Sequence, residues 1–163
     1  MSAHLFGNPP GPHQPPFCSR LELAALADAP GWARRHTRQV LQAWSVTGEA
    51  ADIAVLVVSE LVTNAVRHSG GSLFESPGPV SYVVIHEHEL ERVVLALWKS
   101  PSRLLIEVAD ADDCPPVPEC DLAWDAESGR GLMLIEAIAK QWGYYQPPIG
   151  GKIVWVEVEL DAC

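Results

Sequence analysis

The stretch between Gly48 and the Gly70-Gly71 pair constrains this chain most, because it reads as one helix with two chemically different sides. At 3.6 residues per turn, Val55, Val58, Val62 and Ala65 fall together. Glu60, Asn64 and His68, with Arg67 beside them, lie roughly opposite. The helix therefore has a core face and a chemical face. A carboxylate and a carboxamide one turn apart suit a hydrated divalent cation, since Mg²⁺ takes oxygen ligands, keeps several waters and is usually shared with substrate phosphates. Taken alone, the same pattern also describes an amphipathic helix whose polar side faces water.

At 163 residues the chain fits one domain with a substantial core, and nothing in it needs a disulfide staple. It is 48% hydrophobic and 20% charged, with a net charge of −10. That charge argues against a general phosphate-backbone binder, so nucleic acid is not an expected partner. No run approaches the ~18 to 20 apolar residues of a membrane span, and the N-terminus lacks the basic start and apolar stretch of a secretory signal. The expectation is a cytoplasmic protein without membrane contact. Cys18, Cys114, Cys120 and Cys163 are scattered, with no paired C-x-x-C spacing, and are read as free thiols.

In chain order, residues 1–17 carry Pro9, Pro10, Pro12, Pro15 and Pro16 with few apolar residues and are expected to form a flexible Pro-rich tail before a domain over 18–163. Arg20 to Leu26 reads as a first strand. Asp28 followed by Pro30 looks like the cap and first turn of a helix to about Trp44, with Ala33, Val40, Leu41 and Trp44 inward and Arg34, Arg35 and Arg38 exposed as a basic patch. After the central helix, Val80 to His86, Arg92 to Trp98 and Arg103 to Val108 read as neighbouring strands. His86 and His88 alternate with Glu87 and Glu89, a pattern that fits an exposed strand end better than a metal site.

The third of these strands runs into Asp110, Asp112 and Asp113, an acidic cluster where an apolar run meets a loop. Stiff scaffolds often aim ligand-binding groups from such places. A long loop to Ser128 closes on Gly129-Arg130-Gly131-Leu132, and Leu132, Ile135, Ile138 and Ala139 continue as a helical stripe. A glycine-rich turn opening a helix offers unpaired N–H groups to an anion. Trp142 to Tyr145 and Lys152 to Leu160 read as the last strands, around a turn at Pro147 to Gly151. The order of elements implies a two-layer α+β sandwich: a mixed, mainly antiparallel sheet with helices on one face.

Taken together, Glu60-x-x-x-Asn64-Ala65-x-x-His68, the strand-end Asp110 and Gly129-Arg130-Gly131-Leu132 resemble, in residues, order and separation, the three nucleotide-binding boxes of the GHKL (Bergerat-fold) ATPase superfamily. The short form ending in Gly151-Lys152-Ile153-Val154-Trp155 is most similar to the bacterial anti-sigma-factor serine/threonine kinases and related regulators. The likeness runs from about Leu21 to Leu160. It implies the histidine-kinase-like ATPase fold, with ATP and Mg²⁺ as ligands. Asn64 would hold the metal against the phosphates, Glu60 would orient or deprotonate the attacking hydroxyl, and His68 completes the first box. Asp110 would accept the adenine amino group. A lid over roughly Ala111 to Ser128 would bring Gly129, Arg130, Gly131 and Leu132 to the phosphates. The implied partners are a sigma factor and an anti-sigma-factor antagonist that supplies the serine, which makes the chain a transcription regulator and a possible homodimer.

Two residues depart from the family pattern. Asp110-Ala111-Asp112 stands where Asp-x-Gly is common, and the Asp112 carboxylate would repel phosphates if it pointed inward. Lys152 stands where many relatives carry threonine, and its ammonium would either approach a phosphate or line the strand. Two functions follow from the resemblance: a kinase acting on a protein partner, or a non-catalytic regulator whose partner binding is gated by nucleotide.

Overall fold

Strict alternation of apolar residues makes the centre of the sheet. In the computed structural model, which describes residues 4–6, 17–68, 91–116 and 130–160, strand β3 (Arg92–Lys99) buries Val93, Leu95 and Leu97, and β4 (Arg103–Asp110) buries Leu104, Ile106 and Val108. Side chains on a strand point alternately to its two faces, so these six share one face. β2 (Phe17–Ala24) pairs antiparallel with β3, and β6 (Lys152–Glu159) antiparallel with β4. β5 (Gln141–Tyr145) pairs antiparallel with β6, and β1 (His4–Phe6) parallel with β5. The six strands lie in the order β1-β5-β6-β4-β3-β2. The mixed, mainly antiparallel sheet of the α+β expectation is thus present.

Three helices supply the second layer. Helix α1 (Ala29–Ala43) packs on α2 and β2, and α2 (Gly48–His68) crosses β4, β6 and β3. Helix α3 (Arg130–Ile138) lies against α2 and β5. The core joins Val57, Val58, Leu61, Val62 and Ala65 of α2 to the inner residues of β3 and β4 and to Val154, Val156 and Val158 of β6. Each valine, leucine or isoleucine of this set contributes ~1.5 to 3 kcal/mol by leaving water. Leu132, Ile135 and Ala139 of the last helical stripe are buried in the same cluster, and Ile138 packs against it half-buried.

Several local expectations are corrected. The strand expected over Arg20–Leu26 runs instead from Phe17 to Ala24, starting three residues and ending two residues earlier. His4–Phe6, inside the expected tail, forms the short parallel edge strand β1. Asp28 sits at the N-cap of α1 but makes no capping bond with its side chain. Its carboxylate instead accepts from the Trp32 indole at 3.1 Å. The inward set on α1 holds for Ala33 and Leu41, whereas Val40 and Trp44 are half-buried at its edge. Arg34, expected in a solvated patch, is also half-buried and donates to Ser59 Oγ on α2 at 3.0 Å. The strand at Val80 to His86, the His86 and His88 alternation, Cys120, Cys163, Gly129 and most of the lid lie outside the described residues.

The carboxyl end of α1 is closed by paired bonds, Ser45 N to Gln42 O at 3.1 Å and Val46 N to Leu41 O at 2.9 Å, with Ser45 in the left-handed region at φ 56°. This reversal sets α2 directly over the sheet. The placement matters because the carboxyl-terminal turns of α2 then reach the ends of β4 and β6 where Asp110 and Lys152 stand opposite each other in register.

Candidate nucleotide site

A cavity of about 340 Å³ opens between the last two turns of α2, the end of β4 with the turn after it, the start of β6, and α3. Its walls include Asn64, Arg67 and His68 from α2, Asp110 and Asp112 from the β4 end, Leu132 from α3, and Lys152 and Val154 from β6. The three separated sequence stretches meet there. Each element delivers its polar group for a local reason. Asn64 lies two positions past the core-facing Leu61 and Val62 pair and just before Ala65, so helical rotation leaves it half-buried at the cavity wall. Asp110 ends a strand whose even-numbered residues all face the helices, so its carboxylate enters the cavity from the core side.

At the floor, Lys152 Nζ lies 2.9 Å from Asp110 Oδ1 and 2.8 Å from Asp112 Oδ2, with the Asp112 carbonyl at 3.4 Å. The Lys152 and Asp110 side chains are only 4% and 3% exposed, so this is a buried ion pair flanked by a second carboxylate. Such a pair is retained only when hydrogen bonding compensates desolvation. Here Asp112 N adds a bond to Asp110 Oδ1 at 3.0 Å. An ammonium has three protons, and all three acceptors are accounted for. Lys152 is therefore committed to the two aspartates, with no donor left for a phosphate. The Asp112 carboxylate is drawn to the same ammonium, so one positive charge stands between two negative ones at the cavity floor.

The two carboxylates respond differently. Burial is the largest influence on Asp110 and pushes its carboxyl above the ordinary aspartate value, with the Lys152 hydrogen bond and charge opposing it. Burial also acts upward on Asp112, but bonds from Lys152 and from the Cys114 backbone, together with the ammonium's charge, bring it below that value. The difference follows exposure, since the Asp112 side chain is 17% exposed and water still solvates it.

Glu60 stands one turn before Asn64 and does not line the cavity. It faces Gly131 in the first turn of α3, where a β-carbon would collide with the Glu60 Oε2 and lie 3.4 Å from its Cβ and Cδ. The glycine thus lets the α3 N-terminus close on the carboxylate. Arg130 opens α3, and Gly129 precedes the described segment. A second close approach occurs at Gly151, at φ 74°, where a β-carbon would run into the Asp110 carbonyl. That contact holds the β6 start against the β4 end.

The Asn64 carboxamide makes no hydrogen bond among the described residues, and neither does the Glu60 carboxylate. An oxygen donor at the cavity wall with its lone pairs open fits a hydrated Mg²⁺ that draws its remaining ligands from water and phosphate. Among the described residues no cluster of three or more His, Cys, Asp or Glu could hold a metal by itself. Cys114, Pro115, Pro116 and Val108 also line the cavity and were not singled out as site residues. Val108 was readable from its strand position two residues before Asp110. The Cys114-Pro115-Pro116 wall depends on how the chain turns after β4, for which the sequence carries no comparable signal.

Residues 23–157 match the family described as the histidine kinase-like ATPase domain. None of the curated proteins matches the chain. Among solved structures, the fold is similar to that of a protein from Mycobacterium tuberculosis described as the RsbU and RsbW domains of Rv1364c, with a TM-score of 0.53 and 18% identity. That match covers 87% of this chain and 32% of the other, so the chain spans about a third of its length.

Proposed function

The chain belongs to the histidine kinase-like ATPase family, and on that premise we propose that it binds ATP with Mg²⁺ and passes the terminal phosphoryl group to a serine or threonine of a protein partner, as an anti-sigma-factor-type kinase. The observation that carries this reading is the convergence of Asn64 and Asp110 on one cavity, with Glu60 one turn away beside the N-terminus of α3. In this reading Asp110 accepts the exocyclic amino group of adenine and Asn64 provides a protein oxygen to the metal, which supplies charge stabilisation on the phosphates. Glu60 takes the proton of the partner's hydroxyl as its oxygen bonds to the terminal phosphorus and the bond to the departing ADP breaks. Phosphoryl transfer rests mainly on positioning and charge stabilisation, so this small set of groups suffices.

The sequence likeness to the anti-sigma-factor kinases supports a sigma factor and its anti-sigma-factor antagonist as partners, and a homodimer, whose mass sedimentation would report. No helix among the described residues is long and apolar enough to cross a membrane. Incubation with labelled ATP, Mg²⁺ and candidate antagonists gives phosphoserine in wild type and none in Glu60→Gln; no transfer to a verified partner rejects the kinase. A second reading draws on the Lys152 pair, which differs from the family pattern at the adenine-reading aspartate. There, nucleotide gates partner binding without transfer. Partner affinity then follows nucleotide while no phosphate is incorporated.

A further inference from the structure

We propose that Lys152 is a specificity-determining positioning residue: by fixing Oδ1 of Asp110 with its ammonium, it leaves Oδ2 to accept from an amino-purine and so excludes keto-purines. The inference rests on the nucleotide reading of the cavity and concerns how that cavity tells one base from another.

The geometry is asymmetric. Both hydrogen bonds to Asp110, from Lys152 Nζ at 2.9 Å and Asp112 N at 3.0 Å, end on Oδ1. Among the described residues none reaches Oδ2, although Asp110 lines the cavity. A carboxylate held by one oxygen presents the other as a pure acceptor, which matches an exocyclic amino group and repels a carbonyl. A protonated carboxyl does the reverse, since its O–H donates to a carbonyl. Which base is admitted therefore depends on what keeps this side chain, 3% exposed, in its charged form.

The charged and titratable groups around Asp110 are Lys152 from β6, Asp112, Asp113 and Cys114 from the turn after β4, and Arg67 and His68 from α2. Of their side chains only that of Lys152 bonds the Asp110 carboxylate. Asp112 repels its charge, and burial disfavours it further. Lys152 is thus the counterweight to both. Its commitment to three protein acceptors means that it acts through Asp110 and not by touching the nucleotide.

The test is titration calorimetry of Mg-ATP and Mg-ITP, which differ at the amino or keto group, on wild type and Lys152→Met between about pH 6 and 8. Wild type is expected to prefer ATP by about tenfold or more, the worth of a hydrogen bond to a charged group, with a ratio flat across that range. In Lys152→Met the carboxyl holds its proton at the acid end, so the preference collapses there and returns as pH rises. In the Asp110→Asn background the lysine substitution should change the ratio no further, as expected of a residue acting through Asp110. Thermal unfolding checks that each variant is folded. Should Lys152→Met not fold, Lys152→Gln, which can still donate to Oδ1 without charge, carries the same comparison. An unchanged ratio, a loss independent of pH, or an undiminished lysine effect in the Asp110→Asn background overturns the inference alone. Wild type that binds neither nucleotide overturns the site reading and this inference with it.

Discussion

Replacing Gly151 by alanine tests how tightly the start of β6 is fitted to the end of β4, and Gly150→Ala is its internal control. Both glycines have positive φ, 90° at Gly150 and 74° at Gly151. An alanine there costs ~1 to 2 kcal/mol in backbone strain, of which ~0.4 to 1 is offset by the stiffer unfolded chain. For Gly150 little else follows, because the nearest atom to a new β-carbon is Asp113 Oδ1 at 3.8 Å. At Gly151 the β-carbon meets the Asp110 carbonyl oxygen, with Asp110 C at 3.2 Å and Ala111 Cα at 3.3 Å. All three are backbone atoms and cannot rotate away, so the strands must part where Asp110 and Lys152 face each other. Overpacking of this kind adds ~1 to 3 kcal/mol. Urea unfolding should therefore show a loss of about 1 kcal/mol for Gly150→Ala and about 2 to 4 kcal/mol for Gly151→Ala. Only the second should weaken ATP binding, since only it disturbs the buried pair. Equal losses in the two variants, or unimpaired ATP binding in Gly151→Ala, refute the reasoning.

Two further outcomes are expected. Gly131→Ala should change stability by no more than ~1 kcal/mol, because the helix gains from alanine while the colliding group is the far end of a flexible side chain. It should lower phosphoryl transfer by about 10²-fold or more through displacement of Glu60, the low end of general-base effects, and a labelled-ATP assay at wild-type activity would contradict that. Asp112, whose carboxyl lies below its ordinary value of 3.8, contributes stability that is fully present above that value and is lost as pH falls through the lower folded value. Asp112→Asn should flatten this part of the acid limb in pH-dependent thermal unfolding, and an unchanged limb would show that the carboxylate is not held as described.

The parts of the fold that were legible in the sequence are those in which neighbouring residues settle the outcome. The α2 stripe of Val58, Val62 and Ala65 and the alternation through Val93 to Leu97 and Leu104 to Val108 each require burial on one face, and tertiary packing agrees with the local period. Asp110 could be picked out because an acidic residue ends an apolar strand. Its partner could not. The contact with Lys152 spans 42 residues and depends on the register of β4 with β6, which the sequence does not print. The lysine alone was compatible with a phosphate or with the strand, and only the pairing decides. The same limit applies to β1, where three residues of a proline-rich stretch pair through backbone groups that leave little trace in side-chain pattern. Asp28 failed as a cap for a different reason: the Trp32 indole, one turn on, competes for its carboxylate.

The central claim is that Asn64 and Asp110, 46 positions apart in the chain, serve one bound nucleotide. Titration calorimetry of ATP with and without Mg²⁺, on wild type, Asn64→Ala and Asp110→Asn with GTP as control, addresses it most directly. The expected result is ATP binding by wild type that strengthens with Mg²⁺, loses that metal dependence in Asn64→Ala, and falls in Asp110→Asn together with the preference over GTP. Binding that ignores both substitutions, or ATP and GTP bound alike by wild type, would contradict it.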